Sequence, residues 1–188
     1  MTSLDPAFVV LHDDARTVLA NWTHAEPGQL ELRDQYLAFL DQHPDAMSRS
    51  CAVGHITASA LVMDDARART LLTLHPKVGR WLQLGGHCEP GDADFRAAVL
   101  REVVEESGID DARVSATPLR LDRHPVPCAG RNSEHLDVEF LALVSPDAQA
   151  VISHESDDLR WFPVDALPPD LDEAVRRMIA TAVDGHRL

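Results

Sequence analysis

Long hydrophobic runs are missing from this sequence of 188 residues. No stretch comes close to the roughly 20 apolar residues that a membrane-spanning helix requires. The first residues also lack the basic segment followed by an apolar run that marks a signal peptide. We therefore expect a protein that does not associate with membranes and that works in the cytoplasm.

Cysteines and basic residues are both scarce. The three cysteines, Cys51, Cys88 and Cys128, are an odd number and form no C-x-x-C pair. This argues against a disulfide framework or a zinc ribbon and favours a reducing compartment. Lysine and arginine number 17 against 31 acidic residues, which gives a net charge of −14. Such acidity argues against a protein that binds the phosphate backbone of nucleic acids.

The rest of the composition is that of a globular protein, with 45% hydrophobic and 26% charged residues. Residues 1–48 carry apolar residues at helical spacing and predict a helical N-terminal extension. Residues 49–188 predict an α/β domain. Its expected elements are strands over 55–64, 69–75, 112–122, 136–144 and 159–163, a loop over 124–132 and a closing helix over 171–183.

A helix with an acidic side is predicted between residues 94 and 107. This segment contains no Gly or Pro, Asp92 or Asp94 suits its N-cap, and Gly108 suits a left-handed turn at its end. Four apolar residues are expected on one side: Val99, Leu100, Val103 and Val104. Three acidic residues fall together on the other side: Glu102, Glu105 and Glu106. Mg²⁺ or Mn²⁺ would turn their repulsion into attraction, but the pattern alone is more often a solvated acidic face.

The loop before this helix changes the interpretation, because Gly85, Gly86, Pro90 and Gly91 form a tight turn where backbone can approach a ligand. Loop and helix together resemble the Nudix box, written G-x5-E-x7-R-E-U-x-E-E-x-G-U with U aliphatic. Gly86 matches the opening glycine. The second half is matched in full by Arg101, Glu102, Val103, Glu105, Glu106, Gly108 and Ile109. Asp92 replaces the first glutamate, with eight residues rather than seven before Arg101, which predicts a bulged loop before an intact metal-binding helix.

The resemblance implies a Nudix-type α/β/α sandwich with a mixed sheet. It also implies an enzyme that hydrolyses a pyrophosphate bond in a nucleoside diphosphate linked to another moiety, or in a related nucleotide. Glu102, Glu105 and Glu106 would be catalytic ligands of Mg²⁺ or Mn²⁺, aided by the backbone of Gly86, and one glutamate would also act as the base. Arg101 would orient Glu105 through a charge-assisted hydrogen bond.

Five further residues are candidate contacts to a small nucleotide or diphosphate substrate: Trp81, Gln83, His87, His135 and Glu155. Trp81 and Gln83 precede the glycine loop, and His87 lies inside it. Glu155 lies in the late loop that supplies another acid in some family members. For each of these residues, a structural or solvated role is the competing interpretation.

Two alternatives to hydrolysis stay open at this point. A Nudix-like pocket can sense a nucleotide without cleaving it, although the presence of all three box glutamates argues for catalysis. Cys88 in the turn would suit a relative of isopentenyl diphosphate isomerase, which shares the fold but has a different acidic helix. The resemblance is also compatible with a homodimer.

Overall fold

The computed structural model describes residues 5–128 and 131–185. Its helices in these ranges are α1 Val9–Asn21, α2 Pro27–Gln42, α3 Phe95–Ser107 and α4 Glu173–Val183, with a short 3-10 helix, Pro6–Phe8, before α1. The first two helices confirm that the N-terminal segment is helical. Among the described residues, every helix is too short or too polar to cross a bilayer.

Among the described residues, eight strands form one sheet: β1 His55–Asp64, β2 Arg69–His75, β3 Arg80–Leu82, β4 Leu84–His87, β5 Arg113–Val114, β6 Arg120–Cys128, β7 Arg131–Val144 and β8 Asp158–Pro163. The main path runs β3-β2-β1-β7-β5, with β4 paired to β1, β6 to β7 and β8 to β2. The predicted hairpin of β1 and β2 is present and pairs Val62 with Leu71. The apolar strand β7 lies inside the path, as expected for a central strand.

The predicted loop over 124–132 is wrong. β6 continues through His124 to Cys128, and β7 already begins at Arg131, while residues 129 and 130 lie outside the described ranges. Pro125 and Pro127 indicated a loop because proline cannot donate to a strand ladder. β6 branches from the main path as a partner of β7, and proline is tolerated in a strand at such an edge position.

The chain divides into two compact units. The first comprises residues 1–58, 86–98 and 120–138, and the second comprises 59–85, 99–119 and 139–188. β1, β4, β7 and α3 each run from one unit into the other. The boundary predicted between residues 48 and 49 stays a prediction.

Within the first unit, α2 is held by two side chains that bind the backbone of β6 and β7. Gln29 donates to the Leu121 carbonyl at 3.0 Å and accepts from the Leu121 N–H at 2.7 Å. The buried Tyr36 hydroxyl lies 2.7 Å from the Asp122 carbonyl oxygen and 3.3 Å from that of Asp137. Because these bonds satisfy buried polar groups, they fix the position of α2 along the strands.

The apolar core of the second unit is built around α4. Asp172 caps the helix by accepting a hydrogen bond from the Ala174 N–H at 2.9 Å. One side of α4 is fully or almost fully buried through Val175, Met178, Ile179 and Ala182. It packs with sheet residues that include Leu61, Leu72, Trp81 and Leu141.

Candidate metal and active site

Helix α3 carries the predicted metal ligands, and specific contacts fix both of its ends. The Asp94 carboxylate accepts a hydrogen bond from the Ala97 N–H at 2.7 Å. Asp14 of α1 accepts one from the Phe95 N–H at 2.9 Å. Gly108 adopts a φ of +69°, the left-handed turn that its position predicted. The start of α3 is therefore held partly by α1, through a contact that the sequence did not indicate.

The glutamates of α3 differ in their exposure. Glu102 is 9% exposed and Glu106 is partly buried, whereas Glu105 is exposed. Val104, one of the four apolar residues expected on the other side, is 37% exposed. One residue beyond the buried Val103, the helix has turned by about 100°, which carries Val104 away from the core. The acidic side of α3 is thus not a simple solvated face.

Arg101 joins two of the glutamates. Its Nη1 lies 2.9 Å from Glu102 Oε1 and 3.0 Å from Glu105 Oε2. The predicted Arg101–Glu105 contact is therefore present, and a second contact to Glu102 accompanies it. Since the Arg101 side chain is itself only 21% exposed, water screens these ion pairs less than ordinary surface pairs.

Glu106 is held by the glycine loop. The Gly85 N–H donates to Glu106 Oε2 at 3.0 Å, and Gly85 has a φ of +152°, which L side chains rarely adopt. Gly86, the predicted backbone ligand, is the next residue of β4. Further along the loop, Asp92 accepts a hydrogen bond from the Glu89 N–H at 2.8 Å and so stabilises the turn.

Burial perturbs the acidity of two glutamates. It raises the pKa of Glu102 to about 7, although the Arg101 hydrogen bond and charge oppose this. It raises the pKa of Glu106 to about 8 against the Gly85 hydrogen bond, and repulsion from Glu102 and Glu155 adds to the effect. Glu155 from the late loop therefore lies close enough to act electrostatically on both carboxyl groups.

This donor set fits a hard divalent cation. Arg101 pairs with Glu102 and Glu105, and one guanidinium cannot balance the charge of three carboxylates. Two of the three carboxylates are withdrawn from water. Carboxylate oxygens are the ligands that Mg²⁺ and Mn²⁺ prefer. A bound cation would stabilise the ionised carboxylates of Glu102 and Glu106 and so lower their raised pKa values.

The family model described as the NUDIX domain matches residues 54–182, more than half of the chain. The chain belongs to the NUDIX family. The suspected resemblance is confirmed, and so, at the level of the family, is the prediction of a Nudix pyrophosphohydrolase. Among curated proteins, none matches this chain.

Solved structures confirm the Nudix fold. A NUDIX-family hydrolase from Clostridium perfringens has a TM-score of 0.55 and 22% identity, covering 69% of this chain and 96% of its own. The E. coli dihydroneopterin triphosphate pyrophosphohydrolase has a TM-score of 0.59 and 17% identity, covering 71% and 98%. A UDP-X diphosphatase has a TM-score of 0.51 and 19% identity, covering 94% and 91%. Because this last similarity spans nearly the whole chain, it extends to the N-terminal helices.

Three predicted substrate contacts lie in the second unit with the glutamates: Glu155, described above, and Trp81 and Gln83. Trp81 is 8% exposed, and its ring meets that of Phe162 edge-on at 4.7 Å between centroids, with the Arg160 guanidinium 5.8 Å from the ring centre. This packing favours a structural role for Trp81. Gln83 is partly buried, and its Nε2 lies 3.5 Å from Ser59 Oγ.

The other two predicted contacts, His87 and His135, lie in the first unit and meet His55 there. We call His55, His87 and His135 the trihistidine cluster. Their ring centroids lie 5.0 Å apart for His55–His87, 4.8 Å for His55–His135 and 5.3 Å for His87–His135. Burial, the largest cause, lowers the pKa of His55 to about 4 and that of His135 to about 3, so both rings are neutral at pH 7.

Proposed function

We propose that this protein is a divalent-metal-dependent hydrolase that cleaves a pyrophosphate bond in a nucleoside diphosphate linked to another moiety, or in a related nucleotide. The observation that carries the proposal is the buried carboxylate group of α3. Glu102 and Glu106 are withdrawn from water, and the Arg101 guanidinium that contacts Glu102 supplies too little charge to balance the group. A surface helix with no ligand would gain nothing from burying two acids side by side.

Each residue of the group has a defined part in this proposal. Glu102, Glu105 and Glu106 hold Mg²⁺ or Mn²⁺, and Arg101 fixes the side chains of Glu102 and Glu105. When bound, the ion would act as a Lewis acid: it would offset negative charge on the phosphate oxygens and make the phosphorus more electrophilic. Glu106 is the favoured base, because the Gly85 N–H fixes the position of its carboxylate. Glu155 is the second candidate.

A substrate panel tests the proposal. The purified protein is incubated with Mg²⁺ or Mn²⁺ and with dNTPs, ADP-ribose, dinucleoside polyphosphates, nucleotide sugars and isopentenyl diphosphate. Two fold neighbours are by name a triphosphate pyrophosphohydrolase and a UDP-X diphosphatase, which supports including both classes. We expect metal-dependent release of a nucleoside monophosphate or pyrophosphate from at least one compound. Tight binding without cleavage would identify a nucleotide sensor, and isomerisation of isopentenyl diphosphate would identify an isomerase.

The stability of the metal-free protein should depend on the charge of Glu106. Its pKa is raised from 4.5 to about 8 on folding. The protonated form is therefore the one that the fold favours, and stability falls as pH rises from about 4.5 to about 8. Glu106→Gln removes this loss, so at pH 8 we expect its Tm to exceed that of the wild type by at least about 3 °C. A single pKa unit is worth about 1.4 kcal/mol, and a chain of this size gains about 2–4 °C per kcal/mol.

Thermal melts in EDTA between pH 5 and pH 9 measure this difference. The control is Glu173→Gln, the same change at an exposed position of α4, which should give no pH-dependent difference. With saturating Mg²⁺ the advantage of Glu106→Gln should shrink, because the ion stabilises only the ionised wild-type group. An equal Tm for mutant and wild type at pH 8 in EDTA would contradict a buried, raised-pKa Glu106.

A further inference from the structure

The trihistidine cluster brings together side chains from three separate segments of the first unit. His55 begins β1, His87 ends β4 and His135 lies in β7. One ring nitrogen from each histidine can be chosen so that all three lie within 4.8 Å of one another. His55 is fully buried, and the other two rings are partly buried. Three imidazoles converging from different strands form a preorganised set of nitrogen donors.

We propose that His55, His87 and His135 bind a transition-metal ion of the Zn²⁺ class. This site is independent of the proposed hydrolysis, and its donors differ in kind from the carboxylates of α3. It gives His87 and His135 a role other than the substrate contacts predicted for them. The inference rests on the geometry of the rings and on the chemistry of their nitrogen atoms.

Nitrogen donors select the class of metal. Imidazole suits Zn²⁺ and the late first-row ions, whereas Mg²⁺ prefers oxygen. In a tetrahedral site with Zn–N bonds of about 2.0–2.1 Å, the ligand nitrogens lie about 3.3 Å apart. Ion binding therefore requires the three nitrogens to approach from a spacing of up to 4.8 Å to this value. Three protein ligands leave a fourth position for water or a ligand oxygen.

The hydrogen bonding of His135 also supports a metal site in the trihistidine cluster. Its Nε2 is buried and has no hydrogen-bond partner in the part of the chain that the structure describes. A buried polar atom in that state is costly, and a metal ion would satisfy it. His124 stands beside it, with ring centroids 5.5 Å apart, and its Nδ1 lies 2.8 Å from Asp122 Oδ2.

One charge opposes a cation at this site. Arg49 repels positive charge at His55 and His87, and its electrostatic effect lowers the pKa of both. Arg49 is exposed, so water and salt screen most of its repulsion. The bond energy of three imidazole ligands outweighs a screened surface charge.

Metal titration of the full-length, metal-stripped protein tests the site. Co²⁺ and then Zn²⁺ are added in excess Mg²⁺, which competes for the carboxylates of α3. We expect one equivalent of Co²⁺ to give the intense visible absorption of a four-coordinate site and to be displaced by Zn²⁺. His87→Asn and His135→Asn should each weaken Zn²⁺ binding at least about a hundredfold, more than the loss of an outer-shell partner typically costs.

The matched control is His43→Asn, which removes a histidine from a second group of candidate ligands in the same unit: His43, Asp45 and Cys51. Under the proposal this variant binds Zn²⁺ like the wild type. Circular dichroism of each metal-free variant checks that it is folded. If only one of His87→Asn and His135→Asn is folded, that variant alone tests the site. The proposal is overturned if the wild type binds no Zn²⁺ in excess Mg²⁺, if Co²⁺ gives only the weak spectrum of a six-coordinate ion, or if His43→Asn alone abolishes binding.

Discussion

Glu106→Gln is expected to lower turnover at least about a hundredfold on the best substrate of the panel while leaving the fold intact. The glutamine oxygen can still accept the hydrogen bond from the Gly85 N–H, now 3.0 Å long, so the side chain keeps its place. What disappears is the negative charge that holds the cation and the basic oxygen that takes a proton. Losses of this size are typical when one charged group that stabilises a transition state is removed.

Steady-state kinetics at saturating Mg²⁺ measure this effect, and circular dichroism verifies the fold. Glu173→Gln, the same substitution at an exposed position of α4, should keep wild-type turnover. Unchanged turnover in a folded, metal-loaded Glu106→Gln protein would remove this residue from the mechanism. Glu155→Gln identifies the base: a larger loss of kcat there than in Glu106→Gln would assign proton abstraction to Glu155.

The acidic helix was predictable because its information is local. The cap, the apolar spacing, the three glutamates and the closing glycine lie within one short segment, and helix geometry alone brings the acids together. Val104 belongs to the apolar side of the wheel but is exposed, one residue past the buried Val103. What the pattern did not reveal was the burial of Glu102 and Glu106, because burial depends on what packs against the helix.

Two of the contacts that sequence analysis missed join distant segments. His55, His87 and His135 are far apart in the chain, and only the pairing of strands brings them together. Asp14 reaches the start of α3 from the first helix, for the same reason. A lone histidine or aspartate carries no local signal for such a meeting.

Strand β6 shows the opposite error, in which a strong local signal was overridden by its position in the sheet. Two prolines in nine residues argue against a strand whose backbone N–H groups must donate hydrogen bonds to neighbouring strands on both sides. β6 lies off the main path of the sheet and pairs with β7, so fewer of its backbone N–H groups have to donate to a neighbouring strand. Its position therefore decides the structure of this segment, and sequence pattern alone does not give that position.

Replacing Arg101 should change the pH dependence of catalysis as well as its rate. The Arg101 hydrogen bond and charge both lower the pKa of Glu102, which burial has raised to about 7. In Arg101→Met the pKa of Glu102 should rise further, so that more of this group is protonated at neutral pH and cannot bind a cation. We expect kcat/KM to fall at least about tenfold at pH 7, since the lost interactions are charge-assisted hydrogen bonds between partly buried groups. By pH 9 we expect kcat/KM to recover in part, because Glu102 is then ionised again.

The pH profile separates this positioning role from a merely structural one. Arg101→Lys should recover part of the loss, because an ammonium group supplies charge but does not reproduce the planar guanidinium between Glu102 and Glu105. Arg113→Met is the matched control, since Arg113 forms an exposed ion pair with Asp65 and its loss should leave the profile unchanged. A general defect in folding lowers activity equally at every pH. If Arg101→Met lowers kcat/KM by the same factor at pH 7 and pH 9, a positioning role for Arg101 is contradicted. Recovery of kcat/KM at pH 9 is expected if Glu102 must be ionised to bind the cation.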